Sequence, residues 1–152
     1  MEYDISTIDL LKQFLKNLFL KIPPDACFTL SGHPGAGKTT LVKTAAEILK
    51  IKENVQSPTF NILNIYSGYY LDESPLEVYH FDFYRLSADD QLFDLQIPDH
   101  NSRKKTYIFM EWPEKVNIKN ILPDIDVYAL TIETKYSPET SEITERKLMA
   151  NF

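Results

Sequence analysis

The sequence predicts an α/β domain with a mixed parallel and antiparallel sheet flanked by helices, and three observations point there. Residues 26–50 run strand, glycine loop, helix. Stretches rich in β-branched and aromatic residues follow at 60–66, 78–83 and 106–110. A closing pair of strands is expected over 126–132 and 142–148, which brings antiparallel pairing into the pattern. The 152 residues suit a single domain spanning 1–152, and the 43 % of apolar residues suffice for one core.

Along the chain, residues 6–22 read as an amphipathic helix. Leu11, Phe14, Leu15, Leu18 and Ile22 fall on one face, Ser6 and Asp9 have capping-box spacing, and Pro23-Pro24 stops the helix. Residues 26–30 form a short apolar run suited to a buried strand, and 39–50 read as a helix with Leu41, Val42, Ala45, Ile48 and Leu49 on one side. Between the strands at 60–66 and 78–83, Ser67-Gly68 and residues 72–75 read as a wide connection. Residues 87–95 read as a short helix with Ser87 and Asp90 as a capping pair. Repeats and low-complexity segments are absent.

Charge narrows the function classes. With a net charge of −6, the chain lacks the broad cationic surface of a protein that grips phosphate backbones. Arg103-Lys104-Lys105 is the one basic cluster and reads as a solvated turn before a strand. No segment has the roughly 20 uninterrupted apolar residues of a membrane span, and the acidic start Met1-Glu2-Tyr3-Asp4 is unlike a targeting peptide. The single cysteine, Cys27, forms no internal disulfide, so a cytoplasmic setting is expected.

Three of the four glycines are Gly32, Gly35 and Gly37. Residues 32–39, Gly-His-Pro-Gly-Ala-Gly-Lys-Thr, match the phosphate loop G-x-x-x-x-G-K-[ST]. Glycines let successive N–H groups turn toward phosphate oxygens, and the following helix adds its positive end. Lys38 is expected to reach the β- and γ-phosphates, and the Thr39 hydroxyl to hold Mg²⁺, a cation that prefers oxygen ligands. The expected fold is therefore a P-loop NTPase domain, with ATP and Mg²⁺ as ligands.

Such a loop needs a carboxylate to order the metal or the attacking water. Two candidates sit at strand ends: Asp82, which alternates with Phe81 and Phe83, and Glu111, which ends an apolar run. Glu111 is expected at the C-terminal edge of its strand, where open α/β sheets bind ligands. Asp82 is expected to face away from Phe81 and Phe83, with an ion pair to Arg85 as its other reading. Trp112 is read equally as core or as site-facing. Ser57-Pro58-Thr59-Phe60 stands where P-loop proteins often carry a hydroxyl that senses the γ-phosphate.

Taken together, Gly-x-x-Gly-Ala-Gly-Lys-Thr-Thr at 32–40, Ser-Pro-Thr-Phe at 57–60, His-Phe-Asp-Phe-Tyr-Arg-Leu at 80–86 and Glu-Trp-Pro-Glu at 111–114 resemble the TsaE (YjeE) family. That family is the P-loop ATPase of bacterial threonylcarbamoyladenosine tRNA modification, and the resemblance covers roughly residues 5–150. It implies an ATPase whose nucleotide state controls docking on a TsaD–TsaB transferase that modifies adenosine 37. Hydrolysis would reset the complex, and tRNA would be met only indirectly. It implies nucleotide contacts at Gly32, Gly35, Ala36, Gly37, Lys38, Thr39 and Thr40, a metal site at Thr39 and Glu111, and hydrolytic roles for Lys38, Asp82 and Glu111. Thr59 would be switch-like, Trp112 would lie by the site, and Thr7 would lie near the adenine.

The sequence departs from the family at His33-Pro34, where an acidic residue and Leu are usual, and over residues 95–100. Pro34 removes one N–H from the loop. Arg146 stands in the last expected hairpin without an assigned role. A small-molecule or nucleotide kinase is the alternative, disfavoured by the shortage of arginines for a lid. A GTP switch lacks its guanine-reading stretch, and a nucleotide-gated adaptor differs from the first reading only in whether hydrolysis matters.

Overall fold

The computed structural model of the protein describes residues 1–58, 61–86 and 104–152. The expected helix over 87–95, Thr59, Phe60, Arg103 and the stretch 95–100 lie outside the described residues. Seven strands form one sheet among those described: β1 (Glu2–Asp4), β2 (Ala26–Ser31), β3 (Leu63–Tyr69), β4 (Pro75–Asp82), β5 (Lys105–Glu111), β6 (Asp126–Tyr136) and β7 (Ile143–Ala150). Helices α1 (Ile8–Lys21), α2 (Lys38–Ile48) and the short α3 (Ile118–Ile121) complete the described elements, with one 3₁₀ turn at Pro113–Lys115.

The strand order is β1-β7-β6-β2-β5-β4-β3. The centre is parallel (β6, β2, β5, β4), whereas β3, β7 and β1 pair antiparallel at the flanks. The expected mixed sheet is thus present. Alternating side chains divide the core in two. On the α1/α2 face, Phe28 and Leu30 of β2 and Tyr107 and Phe109 of β5 meet Leu15, Phe19, Leu41 and Val42. Phe19 stacks on Tyr107 with ring centroids 5.0 Å apart. On the opposite face, Cys27, Tyr79, Phe81, Phe83, Ile108 and Met110 pack with Leu122. Burial there pushes the Cys27 thiol up to about 12. No helix among the described residues is long and apolar enough to cross a membrane.

Helix α1 buries the predicted stripe, Leu11, Phe14, Leu15, Leu18 and Phe19. Its cap is a correction. Thr7, not Ser6, accepts the Leu10 N–H (3.2 Å), because the Ser6 hydroxyl and N–H both donate to Asp4 at 2.6 and 2.9 Å. The strand β1 has no counterpart in the sequence reading, since three residues carry no measurable periodicity.

The edge strand β3 also differs from expectation. It runs Leu63–Tyr69 rather than 60–66, and Ser67 and Gly68 pair with Glu77 and Leu76 instead of turning. The cause is the C-terminus of α2. The Tyr69 N–H donates to the Leu49 carbonyl at 2.7 Å, which draws helix and strand together over Gly68. A Cβ on Gly68 would stand 2.4 Å from that carbonyl oxygen and 2.8 Å from the Ile51 side chain. Glycine in a strand often marks such a close approach.

Gly68→Ala is therefore expected to destabilise the fold by about 1–3 kcal/mol. Urea unfolding followed by circular dichroism would show a lower midpoint at an unchanged slope.

Candidate functional site

The parallel register sets the site. Leu30 of β2 lies abreast of Glu111 of β5, and Glu111 lies abreast of Asp82 of β4. All three strands end at this level, and the chain leaves β2 through Ser31 into the loop. Glu111 and Asp82 therefore stand side by side at the carboxyl edge, next to the loop's root, as expected for ligand sites in open α/β sheets.

The loop needs its glycines. Gly32, Gly35 and Gly37 have φ values of 147°, 80° and 114°. A Cβ on Gly32 would also meet the Ile132 carbonyl oxygen at 2.7 Å. The Ala36 N–H closes a turn on the His33 carbonyl (3.1 Å), and Gly37 precedes the first turn of α2. Lys38 folds back over the loop, donating to the carbonyls of Gly32 (2.6 Å) and His33 (3.0 Å). Its ammonium also sits 4.3 Å from the centroid of the Trp112 ring. Burial pulls the Lys38 ammonium below its ordinary value, opposed by the carboxylates of Glu111, Asp82 and Glu114.

Trp112 faces the site and also packs against the second core cluster. Its backbone is left-handed, with φ 59° and ψ 52°. That conformation costs a non-glycine residue on the order of 1–3 kcal/mol, and such residues gather at functional sites. The turn carries the indole from the end of β5 to Lys38, and Tyr84 supports it with ring centroids 5.0 Å apart.

Glu111 is 3 % exposed. Its Oε1 accepts from the Thr39 hydroxyl (2.9 Å) and from Nε2 of His80 (2.9 Å). His80 is fully buried, and its Nδ1 is the one buried side-chain polar atom without a partner among the described residues. The Asp82 carboxylate accepts from the Ser57 hydroxyl and from the Tyr84 N–H (3.0 Å). The segment preceding Thr59 is thereby tied to the site. A cavity of about 270 Å³ is lined by Gly35, Lys38, Thr39, Asp82, Glu111 and Trp112, together with Pro34, Gly37, Thr40 and Tyr84.

The donor set fits a hard divalent cation. The Thr39 hydroxyl and Glu111 carboxylate are adjacent oxygen donors. Among the described residues no group of three or more His, Cys, Asp or Glu side chains could hold a metal by itself. An ion here would complete its shell with phosphate and water oxygens, as Mg²⁺ commonly does.

The remaining candidates lie around a second, smaller cavity of about 160 Å³, lined by Ile5, Thr7, Leu11, Ala36, Thr40 and Arg146 among others. Thr7 is thus near the loop, although its hydroxyl caps α1. Arg146, unassigned from sequence, donates Nε–H to the Ala36 carbonyl at 3.2 Å. His33 is likewise engaged. Its Nδ1 lies 2.7 Å from the Pro34 carbonyl oxygen, and its Nε2 meets the Thr134 and Tyr136 hydroxyls of β6, the latter at 3.1 Å. No local signal marks either contact, because each joins segments about a hundred residues apart.

A glycine loop between a central parallel strand and a helix, with a carboxylate from the adjacent strand on its threonine, defines a P-loop α/β domain. The chain belongs to the TsaE family of threonylcarbamoyl adenosine biosynthesis proteins, whose profile matches residues 5–147. It is 31 % identical over 130 residues to the tRNA threonylcarbamoyladenosine biosynthesis protein TsaE of Borreliella burgdorferi, covering 86 % of this chain and 89 % of that one. The Treponema pallidum protein of the same name is 35 % identical over 106 residues, 70 % of each chain. The crystal structure of Bacillus subtilis YdiB superposes with a TM-score of 0.62 at 26 % identity, over 97 % of this chain and 82 % of that one.

Trp112 is the single tryptophan. An anion that draws Lys38 off the ring is expected to change its emission. Titration with ATP·Mg²⁺ should give a saturable fluorescence change that Lys38→Ala abolishes.

Proposed function

We propose that the chain binds ATP with Mg²⁺ at the loop 32–40 and hydrolyses it. We further propose that this cycle regulates and resets a TsaD–TsaB threonylcarbamoyl transferase acting on adenosine 37 of tRNA. The observation that carries the reading is the hydrogen bond from Thr39 of the loop to Glu111 of the neighbouring strand. It unites the loop with the one type of group that phosphate chemistry requires beside it.

In this reading Lys38 exchanges the carbonyls of Gly32 and His33 for the β- and γ-phosphates. The N–H groups around Gly35, Ala36 and Gly37 and the N-terminus of α2, including Thr40, turn toward the same anion. Mg²⁺, when bound, neutralises charge developing on the phosphate oxygens. Thr39 and Glu111 would hold it. Asp82 and Glu111, abreast at the strand ends, would orient the attacking water or take its proton. Asp82 is also bonded to Ser57, so movement in the segment running to Thr59 would be felt at that carboxylate. The cavity beside Thr7, Ala36 and Arg146 supports a base-binding place next to the loop. The net charge of −6 favours contact with tRNA through protein partners rather than directly. A cytoplasmic location belongs to the same proposal.

The test is steady-state ATP hydrolysis, alone and with purified TsaD–TsaB complex. Slow turnover alone and strong stimulation by the complex are expected, with no binding or turnover in Lys38→Ala. Glu111→Ala should still bind ATP but turn over roughly 10²-fold or more slower. Hydrolysis without stimulation would remove the tRNA-modification role, and unchanged ATP affinity in Lys38→Ala would remove the loop assignment.

A further inference from the structure

We propose that His80 is a positioning residue for Glu111. The inference rests on the reading of Glu111 as the carboxylate that serves hydrolysis.

Leu76, Val78 and His80 occupy alternate positions of β4, and the first two fill the α1/α2 face of the core with hydrocarbon. A histidine in the same row is unnecessary for filling space, and it leaves Nδ1 buried without a partner among the described residues. Natural cores avoid such atoms unless the group serves another purpose. Among the described residues the ring's single polar contact is the bond from Nε2 to Oε1 of Glu111, and a carboxylate can only accept, so Nε2–H is the donor.

Thr39 donates to the same oxygen. Two donors from different elements, β4 and the start of α2, thus converge on Oε1 and fix the rotation of the carboxylate. Oε2 is left for the cavity that Glu111 lines. A metal would engage Thr39 through an oxygen lone pair and leave its O–H on Oε1, so His80 would remain the second donor that fixes the rotation of Glu111. Partners one shell behind a metal or catalytic carboxylate act in this way. Loss of His80 should therefore slow turnover while leaving ATP affinity, set by the loop, nearly unchanged.

The experiment compares kcat and KM for ATP in the full chain carrying His80→Leu, His80→Gln, His80→Asn or Glu111→Gln, with folding checked by thermal melting. His80→Leu is expected to lower kcat roughly 10–100-fold. Its KM for ATP should stay within about twofold of wild type. His80→Gln places an amide N–H as many bonds from Cβ as Nε2 and should restore most of kcat. His80→Asn places its amide where Nδ1 was and should not. A slow Glu111→Gln beside a wild-type kcat in His80→Leu overturns the positioning role and leaves the role of Glu111 standing. A wild-type rate in Glu111→Gln removes the reading beneath both. If His80→Leu does not fold, the Gln and Asn variants decide, and equal rates in those two overturn the proposal.

Discussion

A carboxylate withdrawn from water must have its oxygens met by donors, or the fold bears a desolvation cost of several kcal/mol. Glu111 is in that position at the end of β5. Its donors come from two other elements, so the requirement reaches well beyond one side chain. The central strands must end in register, α2 must begin at a fixed height above them, and β4 must carry a donor at position 80. The parallel ladder from β2 through β5 to β4 satisfies the first condition. The short loop after β2 satisfies the second, and its length and glycines leave α2 little choice of starting point.

The loop is held in shape both by its own hydrogen bonds and by its surroundings. Lys38 crosses over two of its carbonyls, Arg146 holds a third, and Ile132 of β6 stands hard against Gly32. The strained backbone at Trp112 brings a ring over the lysine that the loop would otherwise present to solvent. An anion arriving here would have to displace Lys38 from those carbonyls, so part of the reorganisation is left to the binding step.

Much of this was readable in the sequence, for identifiable reasons. The clustering of scarce glycine marked the loop, because positive φ demands it. The stripe of α1 and the apolar runs of β2 and β5 marked the core, because buried elements repeat with their own period. The strand-end places of Glu111 and Asp82 were legible because Glu111 closes an apolar run and Asp82 alternates with Phe81 and Phe83. Elsewhere tertiary contact overrides local pattern. Gly68 resembles a turn residue but sits in a strand pressed against a helix end. Ser6 has capping chemistry but is already engaged by Asp4. Arg146 and the partners of His80 were hidden, since only the sheet's register and the final hairpin bring those residues to the loop.

The contacts of His33 bear on how such a loop can vary. The positions between the first two glycines are nominally free, yet here one of them is anchored to Thr134 and Tyr136 at the far end of β6. The loop and that strand end therefore form a single structural unit. An exchange at position 33 in one lineage would relax or alter selection on two hydroxyls a hundred residues away, and grafting the eight-residue motif alone into a relative would transplant only half of the structure that shapes it.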